Sequence, residues 1–422
     1  MTVFSVSDAI EQLAREPRPL ELTGPLQPYA WGGTTFLPSL TGVEWRDGTP
    51  AAEWWLGAHP SASASVMVGN SAWPLNTLLH AAPAQLLGAD VHGRFGPRLP
   101  YLLKILDVRQ MLSIQAHPSK SQAEEGFARE NAAGIPVDAA TRNYRDDNHK
   151  PEAQVALTPF WMLAGFRSVE EMRSLLNARP ELRPLAERLD TRDADTIAAL
   201  YAWLFAMDED EADTHLTQLA DRLLPAYRAG SLSQATPDFW AARALEQFRS
   251  PRGTHDRGVF AIYLMNLVRL EPGEGTFLGS GVIHAYLEGR CVEIMANSDN
   301  VLRGGLTPKH VDVEELKRVV TFRSSMVDVL RGHAQGAEWV YAIPAEEFGL
   351  SRLSLGQGRT VACGSSHAPE ILVTLDGAAH LAWESGTMHL PAGRAAFVPA
   401  QASAVVSSDD GATVFRATMP RA

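Results

Sequence analysis

Between Leu112 and His117 the chain alternates strictly, with Leu112, Ile114 and Ala116 interleaved with Ser113, Gln115 and His117. A strand sends alternate side chains to opposite faces. One face is therefore apolar, and the other presents a hydroxyl, an amide and an imidazole together. Pro118 lacks the N–H that a sheet ladder needs, so the strand is expected to stop there. Core packing does not require such a polar face. A cavity that binds a metal or a polyhydroxy compound does.

Two further stretches complete a candidate metal site. Asn148-His149-Lys150-Pro151-Glu152 is a polar loop running into the apolar Val155-Ala156-Leu157, which places Glu152 at a strand start. Gly279-Ser280-Gly281-Val282-Ile283-His284-Ala285-Tyr286 reads as a glycine-rich turn entering a strand, with His284 and Tyr286 on one face. Two imidazoles, a carboxylate and a neutral amide oxygen suit a borderline divalent ion such as zinc. A lone strand histidine is usually a satisfied polar residue, and glutamine is a rare zinc ligand. The spacing alone therefore leaves the metal reading balanced against ordinary polar packing. The separation in sequence argues against a local zinc finger and for a site assembled inside a β-barrel.

The 422 residues suffice for two or three domains and a large core. A net charge of −12 argues against a general nucleic-acid binder, which needs clustered Lys and Arg. Only Cys291 and Cys363 are present, so no disulfide framework is expected and a reducing compartment is the simpler setting. No apolar stretch approaches membrane-spanning length. Met1 to Arg18 lacks the long apolar core of a signal peptide, so a cytoplasmic location is expected.

From Leu20 to about Phe166 short apolar stretches are broken by Gly, Pro and Asp, a mostly β texture. Asn76 to Leu87 looks partly helical with Pro83 interrupting it, and Ser119 is a suitable N-cap for a helix through Gln122 to Arg129. From Phe166 to about Ser250, Leu and Met recur at helical spacing, which predicts a helical insertion with starts near Ser168, Asp193 and Asp210. Asp208-Glu209-Asp210-Glu211 reads as a solvated acidic helix start. Val259 to Leu270 fits helix or strand, with helix favoured. After about Thr321, strands such as Trp339–Ile343, Ile371–Leu375 and Ala395–Pro399 alternate with glycine-rich turns, as in a second β-sandwich or jelly roll. Its His367, His380 and His389 are read as surface or core polar residues.

The segments Gln27–Gly32, Ala52–Pro60, Leu99–Pro118, His149–Glu152 and Glu293–Leu306, in this order, resemble type I phosphomannose isomerases of the cupin superfamily. The resemblance covers most of the chain in outline. It implies a mainly β fold with a helical insertion: a cupin catalytic domain from 1–165 and 256–320, a helical domain from 166–255, and a C-terminal jelly roll from 321–422. It implies one Zn2+ per chain, held by Gln115, His117, Glu152 and His284, the four residues that the strand pattern selects. The implied activity interconverts mannose 6-phosphate and fructose 6-phosphate through an enediolate.

Within that frame Arg303, between an apolar pair and two glycines, offers fixed donors to developing charge; its bland alternative is an ion pair with Asp299. The resemblance favours a catalytic role. Glu293 is a candidate base or a partner of a zinc ligand, and Asp299 competes for the base role. Lys150 and His149 are further proton-transfer candidates, and Tyr286 is placed to position a hydroxyl. Lys104, Ser113 and Lys309 match positions lining the family's cleft, with the two lysines expected at the phosphate. Lys120 is expected to add to that field. Trp31 is expected to stack on the sugar, with core packing as its alternative. The chain departs from the family pattern at Ala30 and Gln154. The expected partner is a small sugar phosphate, with no nucleic acid and no membrane, and a monomer is the expected state. The competing readings are an isomerase of free mannose or ribose, a non-catalytic sugar-binding cupin, and a metal-dependent oxygenase.

Overall fold

The computed structural model describes residues 4–191, 193, 195–250, 252–364 and 367–420. The first three residues of the N-terminal stretch expected not to be a signal peptide lie outside the described residues. Among the described residues, one antiparallel sheet of 10 strands and another of 12 strands dominate, and a block of helices lies between Val169 and Gln247. The fold is mainly β, of jelly-roll type, with a helical insertion.

The 10-stranded sheet draws on strands from Leu26 to Phe166 and from Met265 to Gly305. Its alternation divides the side chains cleanly. Trp54, Leu56, Leu103, Ile105, Ala153, Val155, Val292 and Ile294 face the core shared with the other sheet. The opposite face carries a rung in direct register: Trp55 beside Lys104, Lys104 beside Glu293, Glu293 beside Gln154, and Gln154 beside Thr276. Residues opposite one another in an antiparallel ladder point to the same side. That side is the wall of the site.

The other sheet is built from the C-terminal strands His333–Gln335 to Ala412–Thr418, but Leu20–Thr23, Ser65–Val68 and Ser71–Pro74 also belong to it. Leu20, Glu21 and Leu22 pair with Phe397, Ala396 and Ala395. A sheet expected from residues 321–422 alone thus takes strands from both ends of the chain.

The local signals mostly act as their chemistry dictates. Pro83 ends one helical turn and opens the next, Pro83–Leu87. Ser119 and Ser168 each form a reciprocal capping box, with Gln122 and Glu171. Asp208 caps the helix Glu209–Arg228 by accepting from the Asp210 and Glu211 amides. The segment Val259–Leu270, expected as helix, is half helix and half strand: Gly258–Leu264, then Met265–Leu270 against Phe160–Phe166. Every residue from Gly258 to Leu264 is buried, so no polar face marks the helix. Pairing with Phe160–Phe166 turns the second half into a strand. Cys291 and Cys363 are both buried and free. No helix among the described residues is long and apolar enough to cross a membrane.

One crossing sets the geometry beside Arg303. Gly305 has φ +125 and its backbone passes so close to Gly258 that a Cβ on Gly305 would lie 2.6 Å from the Gly258 Cα. The next residue, Leu306, has φ +53, a left-handed conformation that costs a branched side chain energy. Asp256 holds it there. Its Oδ1 accepts from the Gly258 and Leu306 amides at 2.7 and 2.8 Å, and its Oδ2 from the Thr307 amide at 3.0 Å. Asp256→Ala strands three amides and releases the strained turn, so it is expected to lower unfolding free energy in chemical denaturation by about 2–4 kcal/mol. A change within about 0.5 kcal/mol would show that the turn holds itself.

Candidate functional site

The strand His284–Ala296 organises the site. Its first residues pair with Phe160–Phe166 and with Gln115. From Gly289 onward it pairs with Tyr101–Val108 on one side, and from Cys291 with Glu152–Ala156 on the other. Between these halves the register slips at Tyr286/Glu288. A bulge adds a residue and reverses which parity faces inward. His284 and Tyr286 therefore share a wall with Glu293, and the Tyr286 hydroxyl donates to Glu293 at 2.8 Å.

His117, Glu152 and His284 meet at the end of this wall, all buried, with ligand atoms within 4.8 Å of one another. Each imidazole is oriented from behind. His117 Nδ1 donates to the Asn300 carbonyl at 2.7 Å, and His284 Nδ1 to the Val282 carbonyl at 2.9 Å. That fixes the tautomer and leaves each Nε2 with a lone pair. The two Nε2 atoms stand 3.4 and 3.3 Å from the Glu152 oxygens. Neither pair has hydrogen-bond geometry: His117 Nε2, His284 Nε2 and Glu152 Oε2 are buried without a hydrogen-bond partner. Buried polar atoms are rarely left so, and three facing one point fit a cation between them. Burial pushes His117 down to about 4 in spite of nearby Glu152, so it is a neutral donor. Burial pushes Glu152 up, but Lys150 and the two imidazoles outweigh it and hold the carboxyl well below its ordinary range. Lys150 Nζ lies 3.0 Å from Glu152. Gln115 is in register between His284 and Arg303, on the same face as both.

Lys104, expected at the phosphate, is buried among carboxylates. Its ammonium lies 3.1 Å from Glu293 and 3.4 Å from Glu53, and its side chain is only 7% exposed. Burial disfavours its charge, but the carboxylates of Glu53, Glu293 and Glu152 outweigh that and raise its pKa. Glu293 is raised too, first by burial, then by the neighbouring carboxylates, which together exceed the pull of Lys104. Two carboxylates share one ammonium, so one of them takes a proton readily.

Arg303 has no ion pair among the described residues. Asp299, its expected alternative partner, is half-exposed and stands 3.7 Å from His59 instead. Burial and the repulsion of Arg145 lower the Arg303 pKa. Lys309, exposed, is lowered by burial of part of its side chain and by Arg303 and Arg145. These three cations feel one another, an arrangement that suits an anion. Trp31 is half-buried, stacked on Tyr29 with centroids 6.0 Å apart, and packs against the cluster containing Tyr286. Ser113 is half-buried, one residue before the strand Ile114–Ala116. Lys120 donates to the Asp147 carbonyl and pairs with Glu124 at 3.5 Å.

A family model for the phosphomannose isomerase type I catalytic domain matches residues 20–169. A mannose-6-phosphate isomerase of Escherichia coli (strain K12) is 40% identical over 395 residues, which cover 93% of this chain and 97% of that protein. The chain belongs to the mannose-6-phosphate isomerase family. The Homo sapiens mannose-6-phosphate isomerase is 34% identical over 329 residues, 73% of this chain and 74% of its own length. A crystal structure of mannose 6-phosphate isomerase from Salmonella typhimurium, bound to substrate (fructose 6-phosphate) and zinc, matches with a TM-score of 0.84 at 36% identity, covering 96% of this chain and 100% of that one.

Sequence reasoning did not single out Glu53, Trp55, Arg145 or Asn300. Glu53 and Trp55 carried a usable signal, since they alternate with the core residues Trp54 and Leu56. The roles of Arg145 and Asn300 come from loop conformation, which has no such period. Asn300 is fully buried, and its side-chain oxygen accepts from the amides of Arg145 and Asp146 at 2.7 and 3.2 Å. The balance of buried charge is open to measurement. Lys104→Met leaves two buried carboxylates unpaired and is expected to cost about 3–5 kcal/mol in chemical denaturation, with Glu53→Gln costing much less because one carboxylate then remains for one ammonium. Equal losses would show that the ammonium serves only one of them.

Proposed function

We propose that this member of the family is a zinc enzyme interconverting mannose 6-phosphate and fructose 6-phosphate through a cis-enediolate. The observation that supports it most is the trio of unsatisfied, buried atoms on His117, Glu152 and His284, beside an unpaired Arg303. Gln115, His117, Glu152 and His284 would hold one zinc ion. When bound, zinc supplies a positive charge that polarises sugar oxygens as a Lewis acid.

The remaining work falls to the chain's own groups. Forming the enediolate removes a proton from C2 and places negative charge on oxygen. Glu293, whose affinity for a proton is raised by burial and by Glu152 and Glu53, is the assigned proton carrier. Tyr286 orients it by its 2.8 Å bond. Arg303, on the face of Gln115 and His284 and without a carboxylate to neutralise it, stabilises the developing oxyanion. Lys309 and Arg145 take the phosphate, and Lys104 instead bridges Glu53 and Glu293 and holds them in place. Asp299 and Lys150 border the site, and Trp31 offers a ring face to the sugar. Two buried, unpaired thiols suit a reducing, cytoplasmic setting. We read the acting unit as the monomer.

Purified protein should carry about one equivalent of zinc, and His284→Ala should lose most of it. Wild-type metal content in that variant would place the ion elsewhere. In steady-state assays of mannose 6-phosphate conversion, Arg303→Lys should lower kcat on the order of a hundredfold, with a smaller change in KM. A change confined to KM would make Arg303 a ground-state binding group.

A further inference from the structure

The loop that leads to Glu152 is fastened to the C-terminal part of the chain by a contact that the isomerisation steps assigned to Glu293 and Arg303 do not use. His149 Nε2 lies 2.5 Å from Glu347 Oε1. The two side chains are 25% and 10% exposed, so the contact is largely withdrawn from water. Glu347 is anchored on both sides. Phe348 after it is fully buried and leads into the strand Gly349–Leu355. Glu346 before it pairs with Arg94 at 3.1 Å, on the helix Ala89–Phe95. His149 and Glu347 both line a cavity of about 1090 Å3, together with Asp299, His59 and Ser280. The same loop carries Lys150, which touches Glu152 at 3.0 Å.

Burial pushes the Glu347 carboxyl up, but the contact with His149 outweighs it and keeps the group ionised. A carboxylate only accepts, so the imidazole must donate from Nε2. We infer that Glu347 is a positioning residue for the isomerisation, holding His149 as the Nε2–H tautomer so that Nδ1 keeps its lone pair as a proton acceptor. This rests on the isomerase reading. From aldose to ketose the C2–H bond breaks and a C1–H bond forms, while the O2 proton leaves and O1 gains one. The reaction has no net oxidant, and it moves two protons. Glu293 accounts for one, and His149 is a group of suitable chemistry for the other. A carboxylate in the loop before the strand Gly349–Leu355, outside the catalytic sheet, would thereby set the protonation pattern of a catalytic loop.

The test uses the zinc-loaded full chain. Imidazole 15N NMR, with His149 signals assigned by their loss in His149→Ala, should show the Nε2–H tautomer. Glu347→Ala should populate both tautomers and lower kcat by on the order of tenfold or more, with KM and zinc content near wild type. Glu347→Gln should recover part of the loss, since an amide oxygen still accepts from Nε2. Adding Glu347→Ala to His149→Ala should cost nothing further, because the two act as one unit. A wild-type His149 that is Nδ1–H or doubly protonated at neutral pH overturns the inference, as does Glu347→Ala with wild-type kcat. A wild-type chain inactive on mannose 6-phosphate would sink the isomerase reading while the tautomer measurement still stands by itself.

Discussion

The site depends on one irregularity, the register slip in the strand His284–Ala296. Without it, His284 and Glu293 would project to opposite faces, because they differ in parity along the strand. One would then meet the metal position and the other the core that holds Val292 and Ile294. The slip sits where the strand changes partners, and Gly289 accommodates it with φ +129, where a Cβ would lie 2.7 Å from the Pro159 carbonyl. A regular ladder here would be better satisfied locally, yet it would take apart the cluster of His284, Tyr286 and Glu293.

The second constraint is charge. Glu53, Glu152 and Glu293 are buried with Lys104 and Lys150, and the histidine His117 beside them is held neutral. The cluster therefore has one negative charge in excess, which is costly in a medium of low dielectric. Two features answer it. Glu293 holds a proton more readily than an ordinary carboxylate, and the face between His117, Glu152 and His284 offers a cation three unsatisfied atoms. A divalent ion would turn the net charge positive, which is the sign an enediolate requires. The polar rung from Trp55 to Thr276 thus explains both why the sheet tolerates so much buried charge and why the Glu293 carboxyl has a raised pKa.

These two constraints differ in how far they can be read from the chain. The metal-facing set was legible, because Leu112–His117 alternates with period two and ends at Pro118, and because Glu152 and His284 begin strands. The capping boxes at Ser119 and Ser168 were legible for the same local reason. The bulge was not: nothing between Tyr286 and Gly289 but a glycine marks it, and its cause is the change of partner strands. The surroundings of Lys104 were not legible, because a lone lysine in an apolar strand does not reveal which carboxylates lie opposite. That depends on register with Glu293, far away in sequence. Leu20–Thr23 carried no sign of its distant partner Ala395–Val398, since strand pairing between chain ends leaves no periodic trace.

The helical block shows a further consequence of tertiary placement. It contains none of the groups assigned to the chemistry, yet it supports the most strained turn beside them. Tyr201, fully within the core, donates its hydroxyl to the Gly304 carbonyl at 2.5 Å, and Phe205 passes within 3.2 Å of where a Gly305 side chain would begin. Arg257 in turn binds the Phe205 carbonyl at 2.6 Å, next to Asp256. Arg303 therefore emerges from a strand end clamped by Asp256 from one direction and by Tyr201 from another. An arginine with no carboxylate partner gains little from an ion pair to fix its place, so its placement has to come from the backbone that carries it. The insertion thereby helps to fix the backbone that carries Arg303, whose side chain has no ion pair among the described residues.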